Sequence, residues 1–190
     1  MQVERCWLKP GLIATYRSDI GGTLVRTFLG YPGKSEHNCD KLLPPCQEWL
    51  EENTSVGKWV FFLDGDLNPL TRFQDPANGR TFYIFMKRFR WPLTIPDAWE
   101  TEAIGADEAR IRRDVKVMRW ENVQTPAGYF WAICIEMHNT NMSPELKLDW
   151  KETNQTFCYD PALGITVKTS ADASSVRHWE LISLTWYKPK

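Results

Sequence analysis

Apolar residues recur along this chain with a period of two rather than 3.6, the mark of strands with one buried face. Leu12, Ala14 and Tyr16 alternate with Ile13, Thr15 and Arg17; after Ser18 to Gly22 the run Thr23 to Leu29 returns, giving a hairpin that Gly30 to Pro32 ends. Lys58 to Leu63 reads as a strand, and so does Thr81 to Met86 after the Asn78-Gly79 turn. The sharpest unit is Val123 to Glu136. Pro126 fixes φ for a turn and Gly128 closes it, after which Tyr129, Trp131, Ile133 and Ile135 share one strand face. A second unit runs from Thr156 to Lys168, with Asp160-Pro161 opening its turn and Gly164 ending it. Leu146, Leu148 and Trp150 alternate with Lys147, Asp149 and Lys151, and Arg177 to Tyr187 makes a last strand with bulky groups on both faces. The expected fold is mainly β with minor α: one antiparallel domain over 1–190, a strongly curved sheet or half-barrel.

Three segments depart from simple alternation. Pro45 to Asn53 reads as a short helix opened by proline. Trp91 to Trp99 sets two prolines beside two tryptophans, which suits an edge or a crossing loop. Asp107 to Glu121 is mixed, with strand character from about Arg112 onward.

A length of 190 residues suits one core. Lys plus Arg (23) nearly balance Asp plus Glu (24), which argues against nucleic acid as a partner, since phosphate neutralisation needs a basic surplus. The basic cluster Arg110, Arg112, Arg113, Lys116 and Arg119 follows Glu100, Glu102, Asp107 and Glu108, and reads as an internally compensated face. No apolar run reaches the length of a membrane span, and no signal-peptide core follows Cys6, so a chain that does not span a membrane is expected. Of five cysteines, Cys39 and Cys46 are placed to staple a loop, and Cys134 and Cys158 lie on strands that are candidate neighbours; buried free thiols are the alternative for all, Cys6 included. His37, His138 and His178 are scattered and no paired His/Cys spacing appears, so neither metal nor cofactor is expected.

The motifs Val123-x-x-Pro126-Ala127-Gly128-x-Phe130 and Phe157-x-Tyr159-x-Pro161-x-x-Gly164-x-x-Val167-Lys168 resemble those of uncharacterised exported bacterial proteins whose fold is like that of the lipoprotein carriers LolA and LolB. Trp179 to Leu184 is similar to that family's last strand. The likeness covers the C-terminal third to half of the chain. It implies a half-barrel around an apolar interior, sometimes covered by helices, and a periplasmic or otherwise extracytoplasmic location in the cell envelope.

Function is expected to be binding rather than chemistry. The leading expectation is a lipid-like or other amphipathic ligand, or an extended protein segment, held on the concave face by Tyr83, Phe85, Trp131, Trp150 and Trp186, with Trp91 and Trp99 in the loops. The bland alternative is that such residues simply fill a core. A second expectation is carbohydrate recognition through Trp91, Trp99 and Trp120, whose flat rings stack on sugar faces. A hydrolase built on Glu136 and His138, with Asp160 or Glu180, is the third; no nucleophile motif accompanies them. Asp64 to Asn68 with Asp75 mimics a calcium loop, but Pro69 stands where the loop needs glycine, and a polar turn is expected instead.

Overall fold

The computed structural model describes residues 2–3, 8–19, 21–31, 47–54, 57–63, 69–74, 81–85, 89–104, 110–143, 151–172 and 178–187. These form the strands β1 (Gln2–Val3), β2 (Leu12–Ser18), β3 (Thr23–Gly30), β4 (Gln47–Asn53), β5 (Gly57–Leu63), β6 (Pro69–Gln74) and β7 (Thr81–Phe85). They continue with β8 (Leu93–Thr94), β9 (Asp97–Ile104), β10 (Arg110–Thr125), β11 (Gly128–Asn141), β12 (Glu152–Asp160), β13 (Ile165–Ala171) and β14 (Trp179–Trp186). No helix occurs among the described residues.

Twelve strands make one antiparallel sheet in the order β7-β6-β5-β4-β3-β2-β14-β13-β12-β11-β10-β9, while β1 and β8 pair separately. Two meanders are thus joined in the middle, where β14 runs beside β2 with Leu181 opposite Tyr16 and Trp186 opposite Leu12. The edge strands β7 and β9 approach within 8 Å, yet no ladder joins them, so the sheet stays open rather than closing into a barrel.

Local chemistry sets the turns. Asp160 Oδ1 accepts from the Ala162 and Leu163 amides at 2.9 and 3.1 Å, and Gly164, at φ 70°, closes the turn. At the β10–β11 tip, Thr125 Oγ1 accepts from the Ala127 amide at 3.2 Å, and the same amide reaches Leu181 O at 3.2 Å, tying the tip to β14.

Bulges bend the sheet, each adding a residue to one strand of a pair: at Leu29, Met118, Val167 and Ile182 the register slips by one. The Met118 bulge matters most. Before it, Val115 and Val117 lie on the same face as Met137 and Ile135; after it, Arg119 opposes Cys134 and Trp120 opposes Ile133, so odd-numbered residues have changed face.

Both faces of β11 and β12 are consequently buried over 132–135 and 157–160. One carries a cluster of Leu12, Tyr16, Phe28, Trp49, Val123, Ala132, Val167 and Leu181. The other carries Phe89, Leu93, Val115, Val117, Ile133, Ile135, Met137, Phe157 and Tyr159. The disulfide Cys134–Cys158 joins directly opposed residues of β11 and β12, so one of the two cysteine options is realised as a bridge. Cys6, Cys39 and Cys46 lie outside the described residues.

The helix expected over Pro45 to Asn53 is a correction: Gln47 onward is strand β4. Its buried positions are Gln47, Trp49, Glu51 and Asn53, a period of two that places polar groups inside. They are tolerated there because Arg26 Nε donates to Glu51 at 2.7 Å and the Trp49 indole donates to Gln47 at 3.1 Å. Within the Trp91 to Trp99 segment, both X–Pro bonds are cis, Leu93–Thr94 pairs with β1, and Asp97 already begins β9. Strand β10 starts at Arg110, two residues before the expected point. The strand expected at Leu146 to Trp150 and the calcium-like turn at Asp64 to Asn68 with Asp75 lie outside the described residues.

Candidate binding surface on the β10–β11 hairpin

Beyond the Met118 bulge the β10–β11 hairpin outruns β12, whose pairing with β11 begins at Ile133. The projecting tip therefore has two unlike sides. Val123, Ala132 and, partly, Phe130 and Ala127 pack into the cluster over β2 and β14. The opposite side carries Trp120, Asn122 and Gln124 on β10 and Tyr129 and Trp131 on β11.

Trp120 packs against the second cluster, and Trp131 stacks on it with ring centroids 5.8 Å apart and planes 5° apart. Trp131 remains 59% exposed and Tyr129 68% exposed. Burial of a tryptophan face normally contributes a kilocalorie or more, so an exposed ring fixed by a second ring is a feature that stability alone does not call for. Asn122 sits directly across from Trp131 and Gln124 across from Tyr129, both exposed. Aromatic faces on one strand thus alternate with free amides on the other.

The hairpin also roofs a recess of about 830 Å³ on the side of the disulfide, lined by Arg119, Glu121, Glu136, Thr156, Lys168 and Glu180 among others. Its charges are largely paired: Arg119 meets Glu121 at 2.8 Å and Arg17 meets Glu180 at 2.7 Å. A second recess of about 650 Å³ adjoins it, with Lys116, Glu136 and His138 in its wall.

The residues singled out from sequence are distributed rather than convergent. Trp91 makes an edge contact with Tyr159 at 5.7 Å, and Trp99 packs half-buried on the same cluster. Trp131 shares their sheet face but stands out on the tip. Trp186 is 51% exposed at the far end of β14, opposite Leu12. Tyr83 and Phe85 lie on β7, their side chains outside those described, and Trp150 is outside the described residues. Of the acid–base set, Glu136 and His138 do share a face; His138 Nδ1 lies 2.9 Å from Asn154 Oδ1, Asp160 is engaged by its turn and Glu180 by Arg17. No group of three or more metal-ligating side chains occurs among the described residues. Among the described residues no helix is long and apolar enough to cross a membrane.

Tyr129, Asn122 and Gln124 were not singled out. The signal was available in the alternation of Tyr129 and Trp131 on one side of the Pro126-Gly128 turn and of Asn122 and Gln124 at mirrored distances on the other.

Among the described residues four groups titrate away from their ordinary values; for Arg26 burial acts downward, but Glu51 and Tyr16 together outweigh it and raise the guanidinium. Burial pushes the Tyr16 hydroxyl up to about 12, with Arg26 opposing the shift and Glu51 adding to it. Burial lowers Arg113 to about 10. Hydrogen bonds from Thr153 and Asn154 hold the exposed Asp172 carboxyl down at about 2.

No family model and no curated protein matches the sequence. Among solved structures, a candidate lipoprotein from Parabacteroides distasonis is similar at 14% identity over 93% of this chain and 96% of that one, with a TM-score of 0.47. A candidate exported protein of YmcC-like fold from Bacteroides fragilis is similar at 13% identity over 96% and 99%, with a TM-score of 0.49. At such identity and TM-score the likeness bears on neither ligand nor activity.

Proposed function

We propose that this chain is a non-catalytic binding protein that presents the outer side of the β10–β11 hairpin to a carbohydrate. The observation that carries the reading is Trp131, fixed flat against Trp120 while more than half exposed. A pyranose offers an apolar C–H face and a rim of hydroxyls. Rings at Tyr129 and Trp131 suit the face, and the amides of Asn122 and Gln124, donor and acceptor in one group, suit the rim. The two rings are two residues apart, about 7 Å along the strand, so a ligand covering both is an oligosaccharide.

The other ligand class suggested by the sequence, an apolar molecule on the concave face as in the lipoprotein carriers, has less support. The larger recess is walled chiefly by charged and hydroxyl side chains, the second mixes Asp114, Lys116 and Glu136 with Trp99, Val115 and Met137, and the interior clusters are filled by their own residues. The Cys134–Cys158 bridge favours an oxidising, extracytoplasmic compartment. The test is a glycan array probed with the wild-type chain and with Trp131→Ala: a defined set of oligosaccharides bound by the first and lost by the second is expected, and silence of the wild type across the array overturns the reading.

A further inference from the structure

The arginines of β10 divide by burial in a way opposite to their pairing. Arg110 and Arg112, both exposed, each meet carboxylates: Glu102 at 3.1 Å, and Glu100 and Asp114 at 2.9 and 3.4 Å. Arg113 points to the other face, is 4% exposed, and is given only a neutral partner, the Asn139 amide oxygen at 2.6 Å from Nε. Its Nη1 donates to nothing. A buried cation without a counter-charge is among the costlier arrangements a fold can hold. Two positions along the β9–β10 ladder, Trp99 opposes Val115 on the same face, and its buried indole N–H likewise has no acceptor. The two buried donors are diagonal neighbours on one face, with Thr101 opposite Arg113 and with Val115 and Met137 beside them, and no oxygen accepts from either. On the β11 side Met137 and Asn139 are sealed, whereas Trp99 on β9 is half-buried.

We propose that Arg113 and the Trp99 indole form a binding site for an oxyanion, a carboxylate or phosphate that takes the guanidinium fork and the indole N–H together. The site is separate from the hairpin strip and does not rest on the carbohydrate reading. Burial disfavours the unpaired guanidinium, which the anion would reverse.

The test is thermal melting and tryptophan fluorescence of the full chain with inorganic phosphate, with decanoate, and with decanol as the uncharged control. Saturable stabilisation by phosphate or decanoate, and none by decanol, is expected. Phosphate alone sufficing assigns the site to a free anion; decanoate alone assigns it to the head of an amphiphile. Arg113→Met is expected to lose the response while melting no lower than wild type in plain buffer, and Arg113→Lys, which keeps the charge without the fork, to retain a response at least tenfold weaker in concentration. A wild type indifferent to both anions, or an Arg113→Met chain that melts lower without any ligand, overturns the proposal. Glycan binding through Trp131 is expected to be unchanged in both variants.

Discussion

Trp131 and Arg26 show how differently one residue matters according to where its side chain ends. Trp131 stands outside the packed clusters, so Trp131→Ala is expected to change stability by less than about 1 kcal/mol while abolishing glycan binding, as paired denaturation and binding measurements on the purified variant will read. Glu51 is buried and holds Arg26, whose guanidinium also lies 5.7 Å from the Tyr16 ring centroid. Glu51→Gln takes from Arg26 the carboxylate that meets it at 2.7 Å on a mostly buried face, and a loss of about 2 kcal/mol in urea unfolding is expected. Tyr16 supplies a pH signature. Its folded value lies above the unfolded one, so the folded state keeps a proton that the unfolded chain gives up; the associated stability is intact below pH 10 and falls away as pH rises toward 12. Tyr16→Phe is expected to flatten that decline in melts followed from pH 9 to 12.

At the level of elements, the Met118 bulge marks where odd-numbered residues change face. Beyond it Val123 lies on the β2–β14 side, and Trp120, Asn122 and Gln124 face outward with Trp131. Deleting Met118 removes only the extra residue and leaves Arg119 opposite Cys134 and Val123 opposite Phe130, so the hairpin keeps its two sides and glycan binding is expected to persist in array measurements on that variant. The Cys134–Cys158 bridge closes a loop with a separation of 24 residues just below the bulge, and its double replacement by alanine is expected to cost about 3 kcal/mol. Much of this level is legible in the sequence, because turn chemistry is local: Gly21-Gly22, Pro126 to Gly128 and Asp160 to Gly164 all fall where their residue types place them. Strand β4 is not, because Gln47-Glu48-Trp49-Leu50-Glu51-Glu52 is rich in helix formers and its period of two is carried by polar residues. Those residues are buried only because Arg26 and the Trp49 indole, far away or internal to the strand, satisfy them. The exposure of Trp131 is hidden for a related reason. Its alternation with Ile133 and Ile135 is that of a core residue, and only the shorter reach of β12 leaves it uncovered.

For the whole molecule, an open antiparallel sheet with two clusters on opposite faces supplies rigidity to the projecting β10–β11 hairpin. The near-balance of charge, 23 basic against 24 acidic residues, leaves no broad field to steer a polyanion, and the arginines on the outer face of β10 are matched by Glu100, Glu102 and Asp114. In the proposed reading, recognition rests on shape and on hydrogen bonds at the hairpin tip. The most direct measurement is an NMR titration of the ten tryptophan indole N–H signals with an oligosaccharide selected on the array. The account predicts saturable shifts concentrated on Trp131 and Trp120, with Trp49, buried on the far side of the sheet, unmoved. Shifts confined to Trp49 or Trp186, or none at any signal while binding is detected by another method, would contradict it.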